Sequence, residues 1–345
     1  MQNAINTSRF NVKPDAQQPW IAAQTQHLLA QRGHAWLLHG PSGLGQYALA
    51  LELARAWLCE HPTPQGACGT CGSCHAIRVH THADLCVLMP EVELLALGWS
   101  LGSKAQAEID DKSRKPSKEI RVDAMREAVE FAQRTSARGR GKVVLVYPAE
   151  RMNTITANAL LKTLEEPVGD VRFVLASEAA HQLLPTIRSR CLGYAMHWPN
   201  PSDSLAWLQA QGVDAAQAQG LLNAMGGRPE DALASFRAGH NAALWANIPK
   251  AVARGDSAFF KDWVIAETLD ALLKLCHDLQ AHSTGASPRF FAVVDLQISK
   301  GVALNRLSAW GKSLMTARRT VEHPYKQDLM LEALMAQGQK VLQNK

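Results

Sequence analysis

Ala35-Trp36-Leu37-Leu38-His39 runs straight into Gly40-Pro41-Ser42-Gly43-Leu44-Gly45-Gln46-Tyr47, and residues 48–58 continue with Leu49, Leu53 and Trp57 at helical spacing. A short apolar strand, a glycine-rich turn and an amphipathic helix, in that order, give the setting of a phosphate-binding loop. Glycines at the first and sixth positions of such a loop let backbone N–H groups turn inward toward phosphate oxygens at a helix start. The complete motif continues with Lys, which reaches the terminal phosphates, and with Ser or Thr, whose hydroxyl holds Mg²⁺. Here those positions are Gln46 and Tyr47. Gln carries no charge, and Tyr is too long and rigid to present its hydroxyl to a metal there. Gly40, Gly43, Gly45, Gln46 and Tyr47 therefore read as a degenerate phosphate loop, with the architecture kept and the chemistry missing.

A second stretch repeats the loss. Lys142-Val143-Val144-Leu145-Val146-Tyr147-Pro148 is a buried-strand run. In an active phosphate-loop ATPase this strand ends in an acidic residue that handles Mg²⁺, whereas here it ends in Tyr147 and Pro148. Further strands are expected over residues 84–88, 172–176 and 193–196. Helices are expected over 21–31, with Ile21, Leu28 and Leu29 as core candidates, and over 156–166, with Ala157, Leu160, Leu161 and Leu164 on one face. Asp123 reads as the N-cap of a helix carrying Met125, Val129 and Ala132. Residues 91–118 mix charge, Gly, Ser and Pro without a period and read as an inserted, partly disordered loop.

Cys59, Cys68, Cys71 and Cys74 follow the phosphate-loop helix, the last three as C-x-x-C-x-x-C. Thiolates on such a knuckle converge on one tetrahedral metal, and four of them close the shell, so structural zinc is expected. So crowded a trio resists internal disulfides. An iron–sulfur cluster of ferredoxin spacing wants a further Cys at position 78, where Arg78 stands. His61, His75 and Cys86 lie nearby as substitute ligands.

The chain has 345 residues, so two or three domains are expected. A formal charge of +5 permits an acidic partner without arguing for one. No apolar run is long enough to span a membrane, and the polar N-terminus lacks the core of a secretion signal. Seven cysteines, an odd number, suit a reducing cytoplasm and a metal better than disulfides. From Pro199 the strands stop. Short helices are expected over 204–211, 215–225 and 229–238, and longer ones over 259–279, 304–320 and 327–342.

Asn158-Ala159-Leu160-Leu161-Lys162-Thr163-Leu164-Glu165-Glu166-Pro167, followed by Ser189-Arg190-Cys191, resembles the signature of bacterial clamp-loader AAA+ subunits. The spacing of Cys59, Cys68, Cys71 and Cys74 is similar to the zinc module of the bacterial members. The resemblance covers the whole chain and implies an α/β AAA+ domain with a parallel five-stranded sheet over residues 1–197. It also implies a small helical lid over 198–239 and an all-α collar for oligomerisation over 240–345. By the same resemblance, Arg190 acts as a trans-acting arginine finger on a neighbour's ATP, with Ser189 and Cys191 holding its loop. The losses at Gln46, Tyr47, Tyr147 and Pro148 set the chain apart from the motor members and imply a rigid, non-hydrolysing subunit. The implied partners are the gamma/tau motor subunits and the delta subunit of the loader, and through the complex the sliding clamp and primed DNA. The lid motif reads Gly227-Arg228-Pro229-Glu230-Asp231, which places Glu230, or Arg228 if the alignment slips, where a motor subunit senses nucleotide. Competing readings are a self-sufficient ATPase and a zinc-ribbon nucleic-acid binder. The first is opposed by those four residues and the second by modest charge without a basic–aromatic stripe.

Overall fold

A computed structural model describes residues 18–299, 302–320 and 327–343. The polar N-terminal stretch, residues 1–17, lies outside the described residues. The described residues form two compact units: one takes 18–211 together with 228–234, the other 212–227 and the described residues from 235 onward.

The first unit is built on five parallel strands: β1 (Ala35–His39), β2 (Leu85–Leu88), β3 (Lys142–Val146), β4 (Val171–Ser177) and β5 (Leu192–Ala195). Their order is β2-β3-β4-β1-β5. β3 is buried at every position and β4 at all but one, as β-branched apolar runs covered on both faces require. Strand β1 lies between β4 and β5, with Leu37 opposite Leu175 and Gly193. The chain leaves β1 and must cross to β2 at the far edge, so its first loop opens at the carboxyl ends of the strands, where such sheets hold ligands.

Helix α1 (Pro19–Leu29) buries Ile21 and Leu28, while Leu29 is only half-buried. Helix α2 (Gln46–Leu58) begins at the glycine loop, two residues earlier than expected, and buries Leu49 and Leu53. Helix α3 (Gly72–Arg78) is a short helix of the cysteine segment, capped by the Cys71 sulfur. The stretch 91–118 departs from expectation, because it is folded. It forms α4 (Glu91–Ala96) and α5 (Ser103–Asp110). Glu91 is buried and bonds Arg114 (Nη2 to Oε1, 2.8 Å) and the Ser117 N–H (2.8 Å), and Arg114 also reaches Glu108 at 2.6 Å. Burial opposes ionisation of Glu91, but Arg114 and Ser117 outweigh it and hold the carboxyl below its usual range. Charge pairing between distant residues replaces the missing apolar period. Helix α6 (Val122–Gln133) starts earlier than expected, so Arg121 is its N-cap and Asp123 stands in its first turn, which suits a carboxylate at the positive end. Helix α7 (Thr154–Glu165) is capped by Asn153 and buries Ala157, Leu160 and Leu164 against the sheet. A four-residue helix, α8 (Pro185–Arg188), precedes β5, and α9 (Pro201–Ala210) follows it.

The second unit is helical: α10 (Ala215–Ala224), the end of α11 (Pro229–Arg237), α12 (Ala242–Arg254), α13 (Ile265–Ser283), α14 (Leu304–Arg319) and α15 (Gln327–Leu342). The period expected to form one helix over 259–279 is broken at its start. Asp256 accepts the Phe259 N–H and closes a 3₁₀ turn, Ser257–Phe260, and regular helix begins only at Ile265. Leu272 and Leu275 are fully buried inside this unit, whereas Leu273 is half-buried. Asp278, also fully buried, accepts the backbone N–H groups of Arg289, Phe290 and Phe291 at 2.7–2.9 Å and so fixes the chain that leaves α13. A Cβ at Gly338 would lie 2.5 Å from Val252, so the glycine permits the close approach of α15 to α12.

Candidate functional site

The glycine loop is closed by the chain itself. Gly43 and Gly45 are left-handed, with φ of +78° and +92°, a conformation that glycine adopts freely. A Cβ at Gly43 would stand 2.6 Å from the Asp231 carboxyl carbon, and one at Gly45 would stand 2.7 Å from the Gln18 amide oxygen. Ser42 donates to Asp231 (2.8 Å), Arg228 donates to Ser42 (2.7 Å) and pairs with Asp231 (3.1 Å), and the Glu230 N–H donates to the Gly43 carbonyl (3.2 Å). Trp20 donates its indole N–H to the Leu44 carbonyl at 2.9 Å. Gln46 curls back, its amide donating to the Gly40 and Pro41 carbonyls at 3.0 and 2.6 Å. The Asp231–Arg228 ion pair and the Glu230 carboxylate thus stand against a loop whose geometry suits anions.

Next to it, where an active site handles Mg²⁺, two aromatic rings meet. Tyr47 and Tyr147 lie 5.7 Å apart, centre to centre. Tyr47 accepts the Trp99 indole N–H at 2.9 Å, and Tyr147 donates to Glu178 at 2.8 Å. Burial pushes the Tyr47 hydroxyl up to about 12, so it stays protonated and offers no charge to a metal. Trp99 is supplied by the folded 91–118 segment, and His80 stacks on it at 3.9 Å.

At the other end of α2 the four cysteines converge. The sulfur atoms of Cys59, Cys68, Cys71 and Cys74 all lie within 4.8 Å of one another, with Cys59–Cys71 and Cys59–Cys74 at 3.8 Å and Cys68–Cys74 at 4.0 Å. A tetrahedron of thiolates at about 2.3 Å from zinc has edges of about 3.8 Å, so the donor set fits such a metal. The Thr70 N–H and hydroxyl draw the Cys68 thiol down to about 5, toward the thiolate that a metal needs. Glu60 ties the knuckle to the sheet unit. It accepts the Ser73 N–H and hydroxyl at 3.1 Å and pairs with Arg138 at 2.8 Å.

The third feature is the turn between α8 and β5. The Thr186 carbonyl gathers the Ser189 hydroxyl (3.2 Å) and Arg190 Nη1 (3.0 Å). Arg190 also donates Nη2 and Nε to one oxygen of Glu165, at 2.9 and 3.2 Å. The Arg190 side chain remains 29% exposed. Cys191 packs on the sheet core, and burial pushes its thiol up to about 12, so it is a packing residue rather than a nucleophile.

A family model described as "DNA polymerase III, delta subunit" matches residues 18–199, more than half of the chain. The chain belongs to that family. It is 42% identical over 215 residues to the DNA polymerase III subunit delta′ of Pseudomonas aeruginosa, covering 61% of this chain and 58% of that protein. The delta′ subunit of Escherichia coli is 34% identical over 227 residues, covering 64% and 60%. The E. coli tau subunit is 34% identical over 161 residues, covering 47% and 21%. The matches thus span less than two thirds of the delta′ relatives' own length. The sheet of five parallel strands, with β1 between β4 and β5 and a glycine loop after β1, is the five-stranded parallel arrangement that the resemblance implied. For a member of the delta family, the sequence reading found the loop, the cysteines and the Ser-Arg-Cys turn. It missed Asp231 as the loop's partner, Trp99 as the cover of Tyr47, and Glu165 as the partner of Arg190. Asp231 and Trp99 are brought in by tertiary contacts that leave no periodic signal.

Proposed function

We propose that this chain is the non-hydrolysing, stator-type delta′ subunit of a DNA polymerase III clamp loader, and that it takes part in placing the sliding clamp on primed DNA. The observation that carries the reading is the pair of tyrosine rings standing where Mg²⁺ would be handled, beside a loop held by its own carboxylates. With neither Lys nor an acidic strand end, nothing neutralises charge on a γ-phosphate or positions a metal. ATP is then neither bound nor turned over by this chain. Its contribution to hydrolysis is Arg190, presented in trans to the ATP of a neighbouring gamma or tau subunit. A guanidinium stays charged in any setting and can offset charge that builds in the transition state. Ser189 and Cys191 hold the turn.

The same reading carries the domain division: an AAA+ domain to residue 197, a lid over 198–239 and a collar over 240–345 that attaches the chain to the gamma/tau and delta subunits. The half-buried Leu273 of α13 supports an attachment role better than Leu272 and Leu275, which the core claims. Cys59, Cys68, Cys71 and Cys74 would hold zinc, whose part is to fix the knuckle. The place of action is the cytoplasm; no helix among the described residues is long and apolar enough to cross a membrane.

The test is a loader reconstituted with gamma or tau, delta, clamp and primed DNA. Arg190→Ala in this chain should lower DNA-stimulated ATPase and clamp loading by about tenfold. Dedicated arginine fingers are worth about 10³–10⁵, and sites on other subunits dilute the effect. Arg188→Ala, equally charged and two residues away, should stay within about twofold. Equal rates for both variants and wild type would remove the trans-acting role.

A further inference from the structure

Glu165 stands where local electrostatics disfavour it. It is the last residue of α7, at the negative end of the helix dipole, and Glu166 follows it directly. Among the described residues, Arg190 is the only cation within ion-pair distance of it. The pair does little for stability, because the Glu165 side chain is 60% exposed and exposed pairs are screened by solvent. Its geometry is nonetheless specific. One Glu165 oxygen takes both Nε and Nη2 of Arg190, while the Thr186 carbonyl takes Nη1. The two anchors come from α7 and α8, which both pack on the sheet core. A guanidinium has five N–H donors. These contacts use one on each nitrogen, so one N–H remains on each of Nη1 and Nη2.

We propose that Glu165 is the positioning residue for Arg190. It fixes the guanidinium plane and leaves one N–H on each terminal nitrogen for the phosphate oxygens of a neighbour's nucleotide. This rests on the trans-acting reading of Arg190. A long side chain held in one rotamer before the phosphate arrives loses less entropy on binding it, and its donors meet the transferred group already aligned. What matters in Glu165 is therefore its acceptor oxygen, more than its charge.

The experiment uses the complete reconstituted loader with four forms of this chain: Glu165→Ala, Glu165→Gln, Arg190→Ala and the double alanine variant. DNA-stimulated ATPase is read as kcat and KM, alongside thermal melting of each isolated chain. Glu165→Ala should lower kcat about fivefold to tenfold, as expected of a displaced catalytic group, with KM for ATP and the melting temperature unchanged. Glu165→Gln should recover most of the rate, because its amide oxygen still accepts both N–H groups. The double variant should match Arg190→Ala, because a positioner has nothing left to position. A wild-type rate for Glu165→Ala would overturn the proposal. So would a glutamine variant as slow as the alanine one, or a double variant clearly slower than Arg190→Ala. If Arg190→Ala itself runs at the wild-type rate, the trans-acting reading fails, and positioning falls with it. If Arg190→Ala slows the loader but Glu165→Ala does not, only positioning fails.

Discussion

Helix α2 joins two motifs that have met opposite fates. At its N-terminus, Gly40 to Tyr47 keep the backbone of a phosphate loop, yet several side chains there are bonded within the protein. Ser42 is bonded to Asp231 and Arg228, Gln46 to loop carbonyls, and Tyr47 to Trp99. At its C-terminus, Cys59 joins Cys68, Cys71 and Cys74, and the four sulfurs converge within 4.8 Å. The first motif has lost its functional residue types and kept its shape. The second has kept its donor types and gathers them around one point. A motif's backbone is therefore weak evidence of chemistry. What separates the two is whether the side chains that do the chemistry are still in place.

The largest effect that could break this contrast is at the cysteines. Cys71→Ser should cut bound zinc from about one ion per chain to nearly none, because one lost thiolate opens a closed tetrahedral shell. Proteolysis should then quicken across residues 59–75 while the sheet unit, with its own core, stays folded. Full metal content in the variant, or an unchanged cleavage pattern after chelation, would contradict a structural metal.

A smaller effect is expected beside the loop. Tyr147→Phe removes the hydroxyl that donates to Glu178 and should cost about 1 kcal/mol of stability, read by denaturant unfolding, with no change in loader ATPase. A loss of rate without a loss of stability would mean that this hydroxyl takes part in turnover. The smallest expected effect is none at all: Gln46→Lys restores the missing charge, yet the isolated chain should remain inactive. Tyr47 and Tyr147 still fill the metal's place, and Asp231 still faces the loop. Measurable Mg²⁺-dependent turnover in that variant would show that a single residue had silenced the site.

The strands and helices that carry the sheet were legible because burial on one or both faces writes a period into the sequence, as in Lys142–Val146 and in Ala157, Leu160 and Leu164. Segment 91–118 was not legible. Its order comes from a buried carboxylate, Glu91, reaching Arg114 across 23 positions, and charge pairs at that range leave no period. The helix expected over 259–279 starts later, at Ile265, and runs on to Ser283, because Asp256 closes a tighter turn over Ser257–Phe260. At the site, Gln46 in place of Lys and Tyr147 in place of an acidic strand end were legible from sequence alone. The closure by Asp231 did not show, since 188 positions separate it from Gly43 and only the fold brings them together. Glu165 belongs to the 158–167 helix signature, and its tie to Arg190 appears only once α7 and α8 are placed side by side.

The behaviour of this chain alone with Mg²⁺ and ATP is the most direct test of a silent phosphate loop. Equilibrium binding and single-turnover hydrolysis, measured on purified, zinc-loaded protein, should show neither saturable ATP binding up to ~1 mM nor product above background. Saturable binding with Mg²⁺-dependent turnover that stays with the chain through purification would contradict it. The phosphate loop would then be a working site, and the tyrosine pair and Asp231 would have to move aside to admit nucleotide.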